Sequence, residues 1–322
     1  MRVLITGGAG YIGSHLADRL LAEGHQVVAL DNLSLGKLAN IDHNMEHPRF
    51  RFVEGDILDK RLMEQLTEEC EIIYHLAAVV GVKHVVSDPL QAIMTNVWGT
   101  GMVLQSACDH QRKVVLASSS EVYGKSVKSS LAEADDRVLG STQISRWCYS
   151  TAKALDEHLA LAYHRQRQLP VVIIRYFNSY GPRLDPQGYG SVVAKFANQA
   201  LDDQPITVHG DGQQTRSFTY VDDTVQGSVL AGMLEAANGE VLNIARAEET
   251  SILRLAEMIK DMTDSSSDIV HVPHEREYGE DFEDTSRRVP SVEKAERILG
   301  FKAEVPLAKG LEQTIGWFRS QR

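Results

Sequence analysis

The chain has 322 residues, of which 43% are apolar and 24% charged, with a formal net charge of −11. That length admits about two domain-sized units around a large core. The acidic balance, with no run of Lys or Arg, argues against nucleic acid and anionic membrane as partners, and no apolar run approaches the ~20 residues of a membrane span.

Cys70, Cys108 and Cys148 show no metal-ligand spacing, and such sparse use suits a reducing compartment. His75, His84, His209, His271 and His274 are likewise unclustered, so no metal site is expected. A first strand beginning at Arg2 leaves no room for a signal peptide, and a cytoplasmic protein is expected.

From Arg2 the sequence reads strand, tight turn, helix. Gly7, Gly10 and Gly13 fall three apart: the first permits a sharp turn, the second a close approach of backbone to a pyrophosphate, the third close packing of helix on strand. The helix N-terminus then faces an anion. Ile12, Leu16 and Leu20 make an apolar stripe, and Gly24 stands where a helix C-cap belongs. Gln26 to Leu30 is a second strand, and Asp31 ends it 18 residues after Gly13. An acid there suits an adenosine ribose and disfavours a 2′-phosphate, so NAD is expected over NADP.

Further strands are expected at Phe50–Glu54, Glu71–His75, Val114–Ser118 and Val171–Arg175, alternating with helices. This is the pattern of an α/β, doubly wound parallel sheet, with ligands at the carboxyl ends of the strands. Two apolar-faced helices, Leu90–Asp109 and Tyr149–Arg167, either cover the sheet or also form a two-fold dimer interface. Beyond Pro182 the expected elements are a helix at Val192–Leu201, a strand at Ile206–His209, a helix at Val221–Ala236 and a strand at Glu240–Ile244. After these come helices at Leu253–Met262, Val292–Leu299 and Leu307–Arg319, with a loop after Ser265. Residues 1–178 and 217–246 are assigned to a dinucleotide-binding domain, and 179–216 and 247–322 to a smaller α/β substrate domain. Glu275 to Arg288, with Tyr278 and Phe282, reads as a lid over the substrate.

Tyr149 and Lys153 stand at i and i+4, one helical turn apart on one face. A nearby ammonium and a positive nicotinamide ring both favour phenolate, bringing a tyrosine toward a pKa at which it can accept an alcohol proton. Ser119, just past the fifth strand, supplies a hydroxyl for the same substrate oxygen. With a dinucleotide, the set specifies hydride transfer from a secondary alcohol to NAD.

Seven motifs occur in order: TGGAGYIG, HLAA, NVWGT, SSSEVYG, YSTAK, RYFNSYGPR and QQTRSFTYVDD. Over nearly its whole length the chain resembles the extended short-chain dehydrogenase/reductases that act on nucleotide sugars. The resemblance implies a Rossmann domain whose cofactor contacts include Gly7, Gly10, Tyr11, Ile12, Gly13, Asp31, Asn32, Asp56 and Ile57. It further implies Leu76, Ala77, Ala78, Asn96, Ser118, Tyr149, Lys153 and Tyr176 along the same cofactor. For a UDP-sugar it implies Val80, Lys83, Ser119, Ser120, Arg146, Asn178 and Arg183, together with Val192, Lys195, Val208, Arg216 and Arg288. Asn178 and Arg216 would take the diphosphate, a role a guanidinium fork suits. A homodimer through a four-helix bundle is implied as well.

Such enzymes oxidise the sugar at C4 and differ in the fate of the 4-keto intermediate. A 4,6-dehydratase uses an Asp-Glu pair after the catalytic hydroxyl; here that pair is Ser120-Glu121, and dehydration loses its acid. A 4-epimerase needs only room for the keto sugar to turn over. A decarboxylase exploits a 4-ketone beside a C6 carboxylate, which is a β-keto acid. Glucuronate decarboxylases resemble this chain at Ser119-Ser120-Glu121, at Arg146 three residues before the tyrosine, and at Arg288-Val289-Pro290. UDP-glucuronate decarboxylation, with catalytic roles for Ser119, Glu121, Tyr149, Lys153 and Arg288, is therefore the reading preferred from sequence. The alternatives are a UDP-sugar 4-epimerase and a non-catalytic NAD-binding sensor.

Overall fold

In the computed structural model, residues 1–185, 191–273 and 283–322 are described, apart from the side chains of 82–84. His274, Tyr278, Phe282 and most of the expected lid lie outside the described residues. In chain order the strands are β1 (Arg2–Thr6), β2 (Gln26–Asp31), β3 (Phe50–Glu54), β4 (Ile72–His75), β5 (Lys113–Ser119), β6 (Val171–Tyr176) and β7 (Ser179–Tyr180). There follow β8 (Ile206–His209), β9 (Thr215–Ser217), β10 (Thr219–Tyr220), β11 (Val241–Ile244), β12 (Glu249–Ser251), β13 (Ile269–Val272) and β14 (Arg287–Arg288).

Seven strands form one sheet in the order β11-β6-β5-β4-β1-β2-β3, all parallel. The order reverses between β1 and β4, so the loops leaving these two strands diverge and open a crevice at their carboxyl ends. Alternation within each strand serves both faces. Val3 and Ile5 join the core under helices Tyr11–Ala22 and Val221–Met233. Leu4 joins the opposite core, with Leu66, Leu104 and Ala160 from the helices on that side. Full burial of a side chain such as Leu16 or Leu20 contributes about 1.5–3 kcal/mol.

Helix starts follow local chemistry. Asp59 accepts from the Leu62 amide, Asp88 from Gln91 ahead of Pro89, and Ser251 from Arg254, each capping an amide that the helix itself leaves unpaired.

Several elements differ from the sequence reading. The helix expected over Leu90–Asp109 is a short helix, Pro89–Ile93, then a π-helical turn, Met94–Trp98, then Gly99–Asp109. The wider turn holds Asn96 where its side chain both donates to and accepts from the Val79 backbone. A π turn inside a helix often marks a functional position. Helix Arg146–Arg167 begins three residues before Tyr149, which brings Arg146 into its first turn. The loop expected after Ser265 contains β13, which pairs with β8; its four residues are too short a run for alternation to announce. Outside the main sheet, β9 is flanked by antiparallel β12 and parallel β14, and the latter pairing sets Arg288 opposite Arg216.

Candidate active site

The carboxyl ends of the strands line a continuous cleft of about 460 Å³. At one end the turn after β1 leaves no room for side chains. A Cβ on Gly7, which has φ +72°, would lie 2.8 Å from the Ala77 nitrogen, and one on Gly13 only 2.1 Å from the Gly7 oxygen. Backbone is thus presented bare to the cleft beside a helix N-terminus, a cradle that fits a pyrophosphate. Asp31 caps this region from β2, accepting from the amides of Ala9 at 3.0 Å and Leu33 at 2.8 Å. Burial raises its pKa, and these backbone bonds partly restore the charged form. Beside it Asn32 donates to Asp56 at 2.8 Å, tying the ends of β2 and β3. The residues present therefore fit a dinucleotide.

Further along, Arg146, Tyr149 and Lys153 follow one another at i, i+3 and i+7 on the helix and line the same cleft. The Lys153 ammonium donates to the Ala117 carbonyl at 3.0 Å and stands 3.5 Å from Asp156. Ser119 accepts from the Glu121 amide at 3.2 Å, and its hydroxyl also bonds Tyr149. Burial first, then the charge of Glu121, push the Tyr149 phenol well above its ordinary pKa, and only the Ser119 bond opposes them.

Beyond Tyr149 lies a cluster of buried charges. Arg288 donates to Glu121 at 2.6 Å, and Arg146 reaches the other Glu121 oxygen at 3.6 Å. Asp284 sits between Arg146, at 3.2 Å, and Arg216, at 3.0 Å. Burial alone would raise Glu121, but Arg288, Arg146 and Arg216 together hold it below the usual carboxylate range. Asp284 is lowered in the same way, by Arg216 and Arg146 against burial. Arg216 is itself brought down to about 10 by burial and by Arg288. Among the described residues, three guanidinium groups and two carboxylates meet in this cluster. The buried Nε of Arg288 has no hydrogen-bond partner among the described residues.

Residues 4–314 match the family model described as GDP-mannose 4,6 dehydratase. The chain belongs to that family. It is an extended short-chain dehydrogenase/reductase. It is 44% identical, over 318 residues, to the UDP-N-acetyl-alpha-D-glucosaminuronate decarboxylase of Bacillus cytotoxicus, covering 99% of this chain and 98% of the relative. It is 35% identical over 322 residues to UDP-glucuronic acid decarboxylase 1 of Xenopus tropicalis, covering 99% of this chain and 72% of the relative. Among solved structures it resembles the UDP-glucuronic acid 4-epimerase of Bacillus cereus in complex with UDP-glucuronic acid and NAD. That likeness has a TM-score of 0.89 at 31% identity and covers 100% of both chains.

Most residues that the family resemblance singles out do meet in the cleft. Gly7, Gly10, Tyr11, Ile12, Gly13, Asp31, Asn32, Asp56, Ile57, Leu76, Ala77, Ala78, Ser118 and Tyr176 line it, as do Val80, Ser119, Ser120, Asn178 and Arg183. Others are turned elsewhere. The Ser118 hydroxyl is spent on Glu157 at 2.5 Å. Asn96 grips Val79 instead of facing the cleft. Arg183 reaches the cleft but gives its guanidinium to Asp18 at 2.7 Å. Val208 is wholly buried in β8, Val192 packs against the core, and Lys195 lies 3.4 Å from His209. Arg216 is spent on Asp284, not presented to the cleft. Lys83 lies in the short helix Val82–Ser87.

Two residues of this enzyme's site escaped sequence reading. Asp284 was invisible because its partners, Arg146 and Arg216, are 138 and 68 positions away. Asp156 was overlooked although it stands at i+3 from Lys153, a helical spacing that could have found it. The described end of the expected lid is fastened down: Glu283 by Lys125 and Trp147, Asp284 by the two arginines, Arg287 by Glu249 and Arg288 by Glu121.

Proposed function

We propose that the protein is an NAD-dependent decarboxylase of UDP-linked hexuronates. The observation that carries this reading is Arg288, which lines the same cleft as Ser119 and Tyr149 and has a buried Nε with no hydrogen-bond partner among the described residues. A C6 carboxylate would give that donor a charged partner. A neutral hexose leaves the donor unsatisfied, at a cost. Similarity to two decarboxylases of UDP-hexuronates supports the same reading.

The glycine cradle and Asp31 would hold NAD, which when bound supplies a two-electron acceptor for the C4 hydrogen. Tyr149 takes the C4 hydroxyl proton at its phenolic oxygen, and Ser119 holds the substrate oxygen during that transfer. Because burial and Glu121 disfavour phenolate here, the positive charge that favours it must come from the nicotinamide side of the cleft. Oxidation at C4 makes the sugar a β-keto acid. Arg288 fixes its carboxylate, the C5–C6 bond breaks, and the electron pair passes to C5, which takes a proton from water; the hydride that bound NAD would have accepted would then return to C4 as Tyr149 gives its proton back to the C4 oxygen. Net, one carboxylate leaves as carbon dioxide and one proton arrives at C5. Ionised Glu121 keeps Arg288 in place and, as a like charge beside the leaving carboxylate, favours its departure as a neutral molecule.

In this reading residues 1–178 and 217–246 bind the dinucleotide, supported by the pairing of β11 with β6 in the main sheet, and the remainder binds the UDP-sugar. The enzyme is read as a homodimer through the two helical segments. Leu90 and Trp98 are 69% and 63% exposed, with Ile93 and Leu155 beside them, an apolar face of the kind a two-fold partner covers. No helix among the described residues is long and apolar enough to cross a membrane. The three cysteines are free thiols, in keeping with a cytoplasmic enzyme.

C4 epimerisation is the second reading, favoured by the fold likeness to an epimerase solved with UDP-glucuronic acid. The deciding experiment incubates the protein with NAD and, separately, UDP-glucuronate, its 2-acetamido counterpart and UDP-glucose, with products weighed by mass spectrometry. Loss of carbon dioxide from either hexuronate supports the proposal; unchanged mass with inverted C4 stereochemistry favours the epimerase.

A further inference from the structure

We propose that Asp156 is a positioning residue that fixes the Lys153 ammonium from its buried side and so aims it at the cofactor cleft. The inference rests on reading Tyr149 and Lys153 as the proton-transfer pair.

Asp156 is fully buried and lies outside the cleft, whereas Lys153, at 3% exposure, lines it. Their charged ends are 3.5 Å apart, and neither Asp156 oxygen is in an ordinary hydrogen bond. A carboxylate in that position costs free energy, so its presence beside the lysine asks for a role. Lys153 has three N–H donors. One goes to Ala117 and one toward Asp156, which leaves the third for the cleft. Without the anion the ammonium has one fixed contact instead of two, and its third donor loses its aim.

The Thr100 hydroxyl faces the same carboxylate and lies 3.0 Å from His75 Nε2, while His75 Nδ1 lies 2.8 Å from the Thr6 hydroxyl. Thr6 in turn accepts from the Ala77 amide at 3.3 Å, at the cleft wall. Burial, aided by Lys153, lowers the His75 pKa to about 3, so the ring is neutral and one nitrogen must accept.

The groups that face Asp156 are few. Lys153, Glu157 and Tyr149 share its helix, and Thr100, which bonds His75 of β4 on its far side, comes from helix Gly99–Asp109. Glu157 is engaged by Arg175 and Ser118. Burial raises the Asp156 pKa to about 6, Lys153 and Thr100 only partly opposing it. Its charge also disfavours the Tyr149 phenolate, but there it is the weakest of four influences, so loss of positioning outweighs that relief when Asp156 is neutral.

The test pairs kinetics with a readout independent of turnover. In the full-length protein, Asp156→Asn should keep NAD affinity and KM but lower kcat about 10-fold to 100-fold, the range for a hydrogen bond to a charged group. The acid limb of kcat near pH 6 in the unaltered protein should disappear. Carboxyl ¹³C NMR should show Asp156 titrating near pH 6 in the unaltered protein and higher in Lys153→Met, even if Asp156→Asn fails to fold. A midpoint below 4, no response to Lys153→Met, or an Asn variant with unchanged kcat and acid limb overturns the inference. Tyr149→Phe with unimpaired turnover would instead sink the proton-transfer reading, leaving the Asp156 midpoint to be read separately.

Discussion

Arg288 Nη1 donates to Glu121 Oε1 at 2.6 Å, joining a strand near the end of the chain to the turn that follows the strand bearing Ser119. The parallel pairing of β14 with β9 puts Arg288 opposite Arg216, so the turn after β5 and the β9–β14 pair meet over one charge cluster. That meeting point, beside Tyr149, is where a C6 carboxylate would sit in the proposed reaction.

Replacing Arg288 with Ala should abolish carbon dioxide release from UDP-hexuronates while leaving NAD bound. Removing one partner of a buried pair also costs on the order of 3 kcal/mol of stability, so the assay is run well below the melting temperature, with folding checked by circular dichroism. Arg288→Lys, which keeps the charge but not the fork, should recover only part of the rate. Full activity in the Ala variant would remove Arg288 from the chemistry.

Tyr149→Phe deletes the phenolic proton site and keeps the ring. Turnover should fall about 100-fold to 10,000-fold, with NAD affinity nearly unchanged in a fluorescence titration. A loss within a few-fold would mean that another group moves the proton.

Asp31→Ala should weaken NAD binding and narrow its advantage over NADP, because the carboxylate that suits ribose hydroxyls and repels a phosphate is gone. The amides of Ala9 and Leu33 would also lose their acceptor, at a cost of about 1–3 kcal/mol if water does not replace it. An unchanged preference between the two dinucleotides would show that a different residue reads the ribose.

The dinucleotide end was legible in sequence because its chemistry is local. Gly7, Gly10, Gly13 and Asp31 all fall within one strand-helix-strand unit, and their spacing already specifies the turn. Tyr149 and Lys153 were legible for the same reason, a single helix turn. The Tyr149 environment was not, because burial and Glu121, 28 positions upstream, dominate it. Glu121 and Arg288 were found through family resemblance. Asp284 and its contact with Arg216 were missed, since which carboxylate an arginine meets depends on tertiary register, here that of β9 with β14. The π turn at Met94–Trp98 reads as ordinary helix because it preserves the apolar pattern on either side.

Two carboxylates should give stability effects of opposite sign. Glu121 is held below its ordinary value of 4.5, so its contribution is present above that pH and lost as pH falls through the lower folded value. Glu121→Gln should therefore destabilise at pH 7, with the difference fading in acid. Asp156 is raised from 3.8 to about 6, so the folded chain binds the extra proton and stability falls as pH rises across that window. Asp156→Asn should gain on the order of 1–3 kcal/mol above pH 6 and nothing below about pH 4. Urea unfolding of both variants at pH 4.5, 6 and 7.5 checks the signs; parallel trends would contradict the assignment.

Trapping of released carbon dioxide tests the central claim most directly. Purified protein is incubated with NAD and with UDP-glucuronate or its 2-acetamido counterpart carrying ¹³C at C6, and the headspace and the nucleotide sugar are followed by mass spectrometry. The account predicts labelled carbon dioxide in step with a UDP-pentose from at least one of the two, lost in Arg288→Ala. Label retained at C6 in a C4-inverted hexuronate, with no carbon dioxide from either substrate, would contradict it.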